Sequence, residues 1–193
     1  MTDSTIGSEQ TLAQRIDRLE ARAAIRELVG TYCIRVDERD IDGLSLCFTQ
    51  DGIMRSADGV MNASGRAAVI EQFHARFSVL GPSNHYTHDH IIHFDPQDSS
   101  VATGTLNTHA ELIRNGEMLV TSLRYRDRYR YEAGRWRFAE RVLSFFYYAR
   151  PGELPEVLCS PLRNRAYAQP IAADFPEESS FWQAYHQQRP RLR

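Results

Sequence analysis

Histidines are concentrated in the middle of the chain, where five of the seven lie between residues 85 and 109. Imidazole titrates near neutral pH and binds transition metals, so such a cluster indicates either acid/base chemistry or a metal site. Neighbouring side chains of an extended strand point to opposite faces, which places His85 and His93 on one face and His88 and His90 on the other. The five histidines therefore cannot all converge on one ion.

For most of these histidines the sequence is compatible with either a metal-binding role or a surface position. A metal ion would take His88 and His90 as neighbouring ligands, with His109 or Glu111 as a third ligand. The simpler interpretation leaves His88, His90 and His93 on a surface or interface of a sheet. We predict that no metal is bound.

His85 is the candidate base because of its position. It begins the first long predicted strand, directly after Gly81-Pro82-Ser83, where the end of a strand can point into the mouth of a pocket. Position alone does not assign a role to a single histidine, since most histidines are ordinary polar residues.

Two helices are predicted in the first part of the chain. Apolar residues recur at helical spacing from Leu12 to Val36, which predicts one long helix that is either continuous or broken near Glu20. A second, short helix begins near Asp40, with the side chain of Asp40 or Asp42 able to cap it, and ends at residues 50–52.

A hairpin and a third helix are predicted next. The hairpin spans residues 53–62 and turns at Asp58-Gly59, a pair that tolerates the positive φ of tight turns. Ser64 is the predicted N-cap of the third helix, which Gly81-Pro82 closes.

Long alternating segments follow Pro82 and predict a sheet. The predicted strands are residues 84–95, 100–113, 117–131 and 135–148. Asn115-Gly116 between two of them is a strong hairpin signal. Three consecutive hairpins predict an antiparallel sheet, and helices covering one face of a strongly curved sheet predict a cone-shaped α+β barrel.

The third of these strands alternates cleanly between two faces. One face carries Leu123, Tyr125, Asp127, Tyr129 and Tyr131, and the other carries Arg124, Arg126, Arg128 and Arg130. Four arginines cannot all enter a core, so we expect their face to be solvated or to contact a partner subunit, in preference to binding RNA. We expect a homo-oligomer, either a dimer or a trimer.

Length and composition are those of one globular domain. The chain has 193 residues, of which 42% are hydrophobic and 25% charged, with a net charge of -2. This charge argues against a nucleic-acid partner, and no apolar run is long enough for a membrane helix. We predict a disordered segment at residues 1–10, a domain at 11–150, and a proline-rich tail at 151–193 that packs on the domain or a neighbouring subunit. The absence of a signal sequence and of paired cysteines predicts a cytoplasmic protein.

Two motifs resemble the SnoaL-like proteins of the nuclear-transport-factor-like superfamily. Tyr32 and Asp37 have the Y-x4-D spacing found at a helix end of that family. Tyr129, Gly134 and Trp136 match its Y-x4-G-x-W hairpin. The likeness covers about residues 12–145, and the tail lies outside it.

The resemblance implies a set of site residues. The chain is similar to bile-acid 7α-dehydratase, scytalone dehydratase and hexachlorocyclohexane dehydrochlorinase, which pair a histidine with an aspartate in a deep pocket. The matching residues here are His85 and Asp37, and Tyr32 matches a further tyrosine of the bile-acid enzyme. Ala110 and Phe145 stand where that enzyme has another aspartate and an arginine, so its substrate is not carried over.

The implied chemistry needs no cofactor. His85 would be the base, Asp37 would orient it, and Tyr32 would donate a proton or a hydrogen bond. Tyr32 and Asp37 are about 140° apart on an ideal helix, so they share a pocket only if the helix ends or bends there. The residues that we expect to bind the substrate are His109, Tyr125, Phe48 and Phe73.

The function that follows from the resemblance is a lyase or isomerase. We expect a dehydratase-like reaction on a small hydrophobic molecule, polycyclic or aromatic in character. A polyketide cyclase or a hydrolase could use the same site. A non-catalytic ligand-binding or assembly subunit, like the small subunit of ring-hydroxylating dioxygenases, is the alternative from another class.

Overall fold

A curved six-stranded sheet with helices on one face forms the frame of the protein. The computed structural model describes residues 11–189, so the segment predicted to be disordered lies outside the described residues. The helices are α1 (Leu12–Glu38), α2 (Ile41–Leu46), α3 (Arg66–Phe77), α4 (Leu154–Leu158) and α5 (Ser180–Gln188), with a 3-10 turn at Pro151–Glu153. The strands are β1 (Phe48–Ser56), β2 (Asn62–Ser64), β3 (Leu80–Phe94), β4 (Val101–Arg114), β5 (Glu117–Glu132) and β6 (Arg135–Ala149). The predicted α+β fold class is confirmed.

Helix α1 begins at a capping box and runs without a break. The Thr11 hydroxyl accepts a hydrogen bond from the Gln14 amide at 3.2 Å, and the Gln14 side chain accepts one from the Thr11 amide at 2.9 Å. Neither proline nor glycine occurs in residues 12–29, and of the two alternatives the structure shows the continuous helix. Its buried residues all lie in the second half: Ile25, Val29, Tyr32, Cys33 and Val36.

Helix α2 begins where the sequence predicts and ends earlier. The Asp40 carboxylate accepts a hydrogen bond from the Gly43 amide at 2.9 Å and caps the helix. The helix ends at Leu46, because Phe48 already begins β1 and residues 50–52 lie within that strand.

Helix α3 also differs at both ends from the prediction. Gly65, with a φ of 89°, precedes the helix, and Ser64 belongs to β2 instead of capping it. The helix ends at Phe77, and Gly81-Pro82 lies inside β3. Because β3 is an edge strand, a proline without an N–H group can be accommodated there.

The sheet has the strand order β2-β1-β6-β5-β4-β3. The three predicted hairpins are present, and Asn115 and Gly116 have φ values of 49° and 81° at the β4–β5 turn. Strand β1 runs parallel to β6, however, so the sheet is mixed and the prediction of a purely antiparallel sheet is wrong. These two strands are far apart in sequence, and the pattern of a strand does not show which strand it pairs with.

The alternation predicted for β5 is confirmed. The apolar face is buried at Leu123, Tyr125, Asp127 and Tyr129, whereas Tyr131 is 48% exposed near the strand end. On the other face, the guanidinium carbon of Arg124 is 4.4 Å from the centre of the Phe175 ring, and Arg126 donates to the Ser144 hydroxyl at 3.0 Å. The tail of the same chain therefore covers part of the arginine face, and the homo-oligomer stays a prediction.

The tail lies against its own domain. Asn164 pairs with Tyr148 at the end of β6, and the Phe175 ring stacks on Phe146 with centroids 5.5 Å apart. Among residues 11–189, no helix is both long and apolar enough to span a bilayer. The cytoplasmic location stays a prediction.

Arg163 holds the tail in place. Its buried guanidinium donates to the backbone oxygens of Phe146, Ser160 and Phe175 at 2.9–3.1 Å and to both carboxylate oxygens of Glu177. Such a group satisfies acceptors from both the sheet and the tail.

Replacing Arg163 by methionine should loosen the tail. The change leaves several acceptors without a donor, and we expect the free energy of unfolding to fall by about 3 kcal/mol. Limited proteolysis should then cut within residues 151–189 well before the domain unfolds. Arg150→Met is the control, because the ion pair of Arg150 with Glu117 lies at the surface and should contribute little. Equal proteolysis of the two variants would contradict this role.

Candidate active site

Asp37 and His85 form a hydrogen-bonded pair between the end of α1 and the edge of the sheet. The Asp37 Oδ1 atom is 2.6 Å from His85 Nδ1, and Asp37 Oδ2 accepts the His85 backbone N–H at 2.8 Å. The Ser83 hydroxyl donates to Asp37 Oδ1 at 2.7 Å. The two side chains are only 12% (His85) and 16% (Asp37) exposed, so the pair is shielded and still reaches solvent.

Arg39 fixes the geometry of this pair from the helix end. It lies just after α1 in the left-handed conformation, with a φ of 62°. Its guanidinium donates to the backbone oxygens of Val36 and Gly81 and to the Ser83 hydroxyl, and it stacks over the Phe77 ring at 4.3 Å. The turn after the helix is thereby joined to the start of β3.

The contacts of Asp37 determine which ring nitrogen of His85 carries the proton. Burial raises the pKa of Asp37, but the hydrogen bonds from His85 and Ser83 outweigh burial and hold the pKa below its ordinary value. An ionised carboxylate only accepts hydrogen bonds, so Nδ1 of His85 must be the donor. In the neutral ring this leaves a lone pair on Nε2, which makes no hydrogen bond to any residue in 11–189.

Tyr32 lies one and a half helical turns before Asp37, in the aromatic core. Its ring meets those of Phe48, Phe73 and Tyr125 edge to face, with centroids 6.1–6.3 Å apart. Burial raises the pKa of Tyr32 to about 12 against the opposing charge of Arg141, so the hydroxyl keeps its proton at neutral pH. Tyr32 can therefore donate a hydrogen bond but cannot act as a base.

The expected substrate-binding residues fall into two groups. Phe48, Phe73 and Tyr125 are at most 2% exposed and pack around Tyr32, as part of the core; their contact with a ligand stays a prediction. His109 is paired with Tyr86 across the β3–β4 ladder, on the face opposite the neighbouring pair of His85 and Ala110. His109 therefore lies on the face of the sheet away from His85, and its contact with a ligand stays a prediction.

A bulge in β3 explains the placement of the histidines. The register shifts between Thr87 and His90, which reverses the alternation after that point. His88 points outward, where its Nε2 atom is 2.7 Å from Nδ1 of His109, while Nε2 of His90 is 3.1 Å from the Tyr129 hydroxyl inside. The expectation that His88 and His90 share a face is wrong, and with it the metal site built on that pair. The described residues contain no group of three or more side chains that could hold a metal ion.

Arg141 is a buried cation of the core that the sequence patterns did not reveal. Its side chain is fully buried and donates to both carboxylate oxygens of Asp127, at 2.9 and 2.7 Å. The guanidinium carbon lies 3.9–4.3 Å from the ring centres of Tyr32, Tyr125 and Phe138. Burial lowers the pKa of Arg141, Asp127 raises it, and the net shift is upward, so the group stays charged.

A signal for this ion pair was present in the alternation of β5. Asp127 falls on the apolar face, and an acid on a buried face requires a cationic partner. The sequence of β6 did not identify Arg141 as this partner. The register between β5 and β6 shifts opposite Arg128 and Tyr129, and this shift breaks the two-residue alternation of side chains in β6.

Arg141 and the Asp37–His85 pair face the same stretch of α1. Tyr32, which Arg141 contacts, precedes Asp37 by about 7.5 Å along the helix axis. Cys33 lies between Tyr32 and Asp37 in the sequence. Burial raises the pKa of its thiol to about 11; the charge of Arg141 lowers this pKa, and the charge of Asp37 raises it. Both groups therefore lie near the last two turns of α1.

The sheet, its helices and the histidine–carboxylate pair define a cone-fold protein with a candidate acid/base site. Residues 17–142 match the SnoaL-like domain, which is more than half of the chain, and the chain therefore belongs to the SnoaL-like family. This confirms the family resemblance of the motifs. No protein with a curated description matches the chain.

Solved structures of the same fold cover most of the domain. A hexachlorocyclohexane dehydrochlorinase from Novosphingobium barchaimii is 20% identical, with a TM-score of 0.63 over 70% of this chain and 92% of that one. A candidate scytalone dehydratase from Novosphingobium aromaticivorans is 19% identical, with a TM-score of 0.64 over 71% and 96%. A protein of unknown function from Mycobacterium tuberculosis is 26% identical, with a TM-score of 0.59 over 73% and 79%.

The lowered pKa of Asp37 predicts how acid changes stability. A carboxylate with a folded pKa below its unfolded value near 3.8 stabilises the protein above that value and loses this contribution as the pH falls through the folded pKa. The stability advantage of the wild type over Asp37→Asn should therefore shrink between about pH 5 and pH 3. Urea unfolding at several pH values measures it, with the exposed Asp89→Asn as control. A difference that does not change with pH would contradict the assignment.

Proposed function

We propose that the protein is a cofactor-independent lyase or isomerase in which His85 is the general base. The observation that carries the proposal is the 2.6 Å contact between Asp37 and Nδ1 of His85, which leaves Nε2 as the basic atom. The small exposure of both side chains supports it, because a shielded pair works in a medium of low dielectric constant.

The reaction begins with removal of a proton from a carbon atom of the substrate. Nε2 of His85 takes the proton, and Asp37 stabilises the resulting imidazolium. In an elimination, the electron pair of the C–H bond becomes the new double bond, and the adjacent leaving group departs with its bonding pair. A halide leaves as the anion, whereas a hydroxyl group leaves as water after the His85 imidazolium transfers its Nε2 proton to the departing oxygen. In an isomerisation, the proton is returned to another carbon atom of the same molecule.

Arg141 and Tyr32 are the groups that we propose to stabilise developing negative charge. Arg141 is a cation whose Nη1 nitrogen has no hydrogen-bond partner among residues 11–189, and Tyr32 is a protonated tyrosine whose ring it contacts. Charge that appears on a leaving group or on an enolate oxygen would be stabilised most strongly by such donors in a buried site. The aromatic rings around them favour a hydrophobic, ring-shaped substrate.

The choice of elimination over other reactions rests on the structural relatives. One is called a dehydrochlorinase and another a candidate dehydratase, and both names describe removal of a small molecule from a substrate. We therefore propose a polychlorinated cyclohexane and a bicyclic β-hydroxy ketone as the first substrates to test. Chloride release would measure turnover of the chlorinated cyclohexane, and the absorbance of the conjugated ketone product would measure turnover of the hydroxy ketone.

Asp37→Asn and His85→Gln should abolish most of the activity. Removing the general base or the group that orients it should lower kcat/KM by about 10²–10⁴ on whichever substrate the wild type eliminates. His88→Gln is the matched control, since it changes a histidine on the opposite face of the same strand and should keep wild-type kinetics. Full activity in either dyad variant would contradict the role of the pair. A wild-type protein that eliminates neither compound would contradict the reaction class proposed here.

Tyr32→Phe tests the hydroxyl without removing the ring. We expect kcat to fall by about 10² because one donor to the developing charge is lost. The free energy of unfolding should change by less than about 1 kcal/mol, since the aromatic contacts remain. An unchanged kcat would show that Tyr32 serves only the core.

A further inference from the structure

A second group of buried polar side chains, separate from the Asp37–His85 pair, lies on the inner face of the sheet. The Tyr129 hydroxyl is 2.8 Å from Asp127 Oδ2 and 3.1 Å from His90 Nε2. Asp127 also pairs with Arg141, and Tyr129, Asp127 and Arg141 are at most 3% exposed. The chemistry proposed above uses only the last of these groups.

The hydrogen bonds of this group have one consistent arrangement. Asp127 accepts two hydrogen bonds from Arg141 and is a carboxylate acceptor, so the single proton of the Tyr129 hydroxyl must point to it. His90 must then donate from Nε2 to the Tyr129 oxygen. Burial lowers the pKa of His90, against the opposing effect of Asp127, which favours the neutral ring.

Gly104 leaves the space that this contact needs. A Cβ atom at position 104 would lie 2.7 Å from Tyr129 Cε2, 2.8 Å from the Tyr129 hydroxyl and 2.8 Å from His90 Nε2. Real Cβ atoms do not approach other atoms so closely, so any side chain would push the ring or the imidazole away. A glycine inside a strand often marks such a close approach.

The same contacts determine where Arg141 points. Asp127 takes the Nε and Nη2 hydrogens, and Nη1 has no hydrogen-bond partner among the residues that the structure describes. An unpartnered, fully buried N–H group of a cation is costly unless a ligand accepts its hydrogen bond. The direction of Nη1 depends on the rotation of the Asp127 carboxylate, and Tyr129 is the other donor that restrains that rotation.

We propose that His90 and Tyr129 are positioning residues that restrain Asp127, so that Arg141 presents Nη1 to the oxygen or halogen atom on which charge develops. This role rests on the proposed elimination or isomerisation. Neither residue touches the substrate, so each acts through Arg141. Because charge on the acceptor is largest in the transition state, a misdirected Nη1 should lower kcat and leave KM nearly unchanged.

Paired variants of His90 test the role by kinetics. His90→Gln keeps an N–H donor near the position of Nε2, and His90→Leu removes it. With the substrate that the wild type eliminates, His90→Leu and Tyr129→Phe should lower kcat by about 10-fold or more with KM within about threefold, whereas His90→Gln should recover most of kcat. Equal impairment of the glutamine and leucine variants, or a full kcat in Tyr129→Phe, would overturn the proposal.

A measurement that needs no activity separates this inference from the proposed reaction. The Nε–Hε group of buried Arg141 should give a slowly exchanging NMR signal, identified by its loss in Arg141→Lys. Tyr129→Phe, His90→Leu and Gly104→Ala should each shift that signal or speed its exchange, and His90→Gln should not. An unmoved signal in all three overturns the positioning role even if the enzyme is active. If the signals shift but the wild type turns over neither substrate, the restraint on Arg141 is supported and only its role in catalysis is overturned.

Discussion

The hydrogen bond between Asp37 and His85 is the interaction on which the account of this protein depends. It joins the last turn of α1 to an edge strand that lies 48 positions later in the chain. Arg39, in a left-handed conformation, and Ser83 hold the two segments at the required separation. Without this contact His85 would be an ordinary polar residue near a strand end, with no defined tautomer and no basic atom directed into the protein.

A second constraint comes from the charge buried beneath the aromatic rings. Arg141 and Asp127 are both completely shielded from solvent in their side chains, so each requires the other, and neither could be removed alone without leaving an uncompensated charge. Such a pair contributes little net stability in most proteins. Nη1 of Arg141 has no hydrogen-bond partner among the described residues, and the ligand contact that we propose would supply one.

Sequence reasoning succeeded where the pattern was local and regular. The alternation in β5, the Asn115-Gly116 turn and the Asp40 cap follow from side-chain periodicity and backbone preferences alone. The selection of Asp37 and His85 came from the family resemblance, because the position of His85 at the start of a strand does not by itself assign it a role. Their close contact in the structure is consistent with that selection.

Where sequence reasoning failed, it failed on irregular and long-range features. A single bulge before His90 reversed the face of every later residue in β3, and a shift in β6 hid Arg141. The sequences of β1 and β6 contain no pattern that predicts their parallel pairing.

The most direct measurement is the protonation pattern of the His85 ring, read from nitrogen NMR shifts of the neutral imidazole. The account predicts a proton on Nδ1 and a bare Nε2 in the wild type, the reverse of the tautomer preferred by free histidine, and loss of that preference in Asp37→Asn. A neutral ring protonated on Nε2, or a rapidly exchanging mixture unaffected by the substitution, would contradict the central claim.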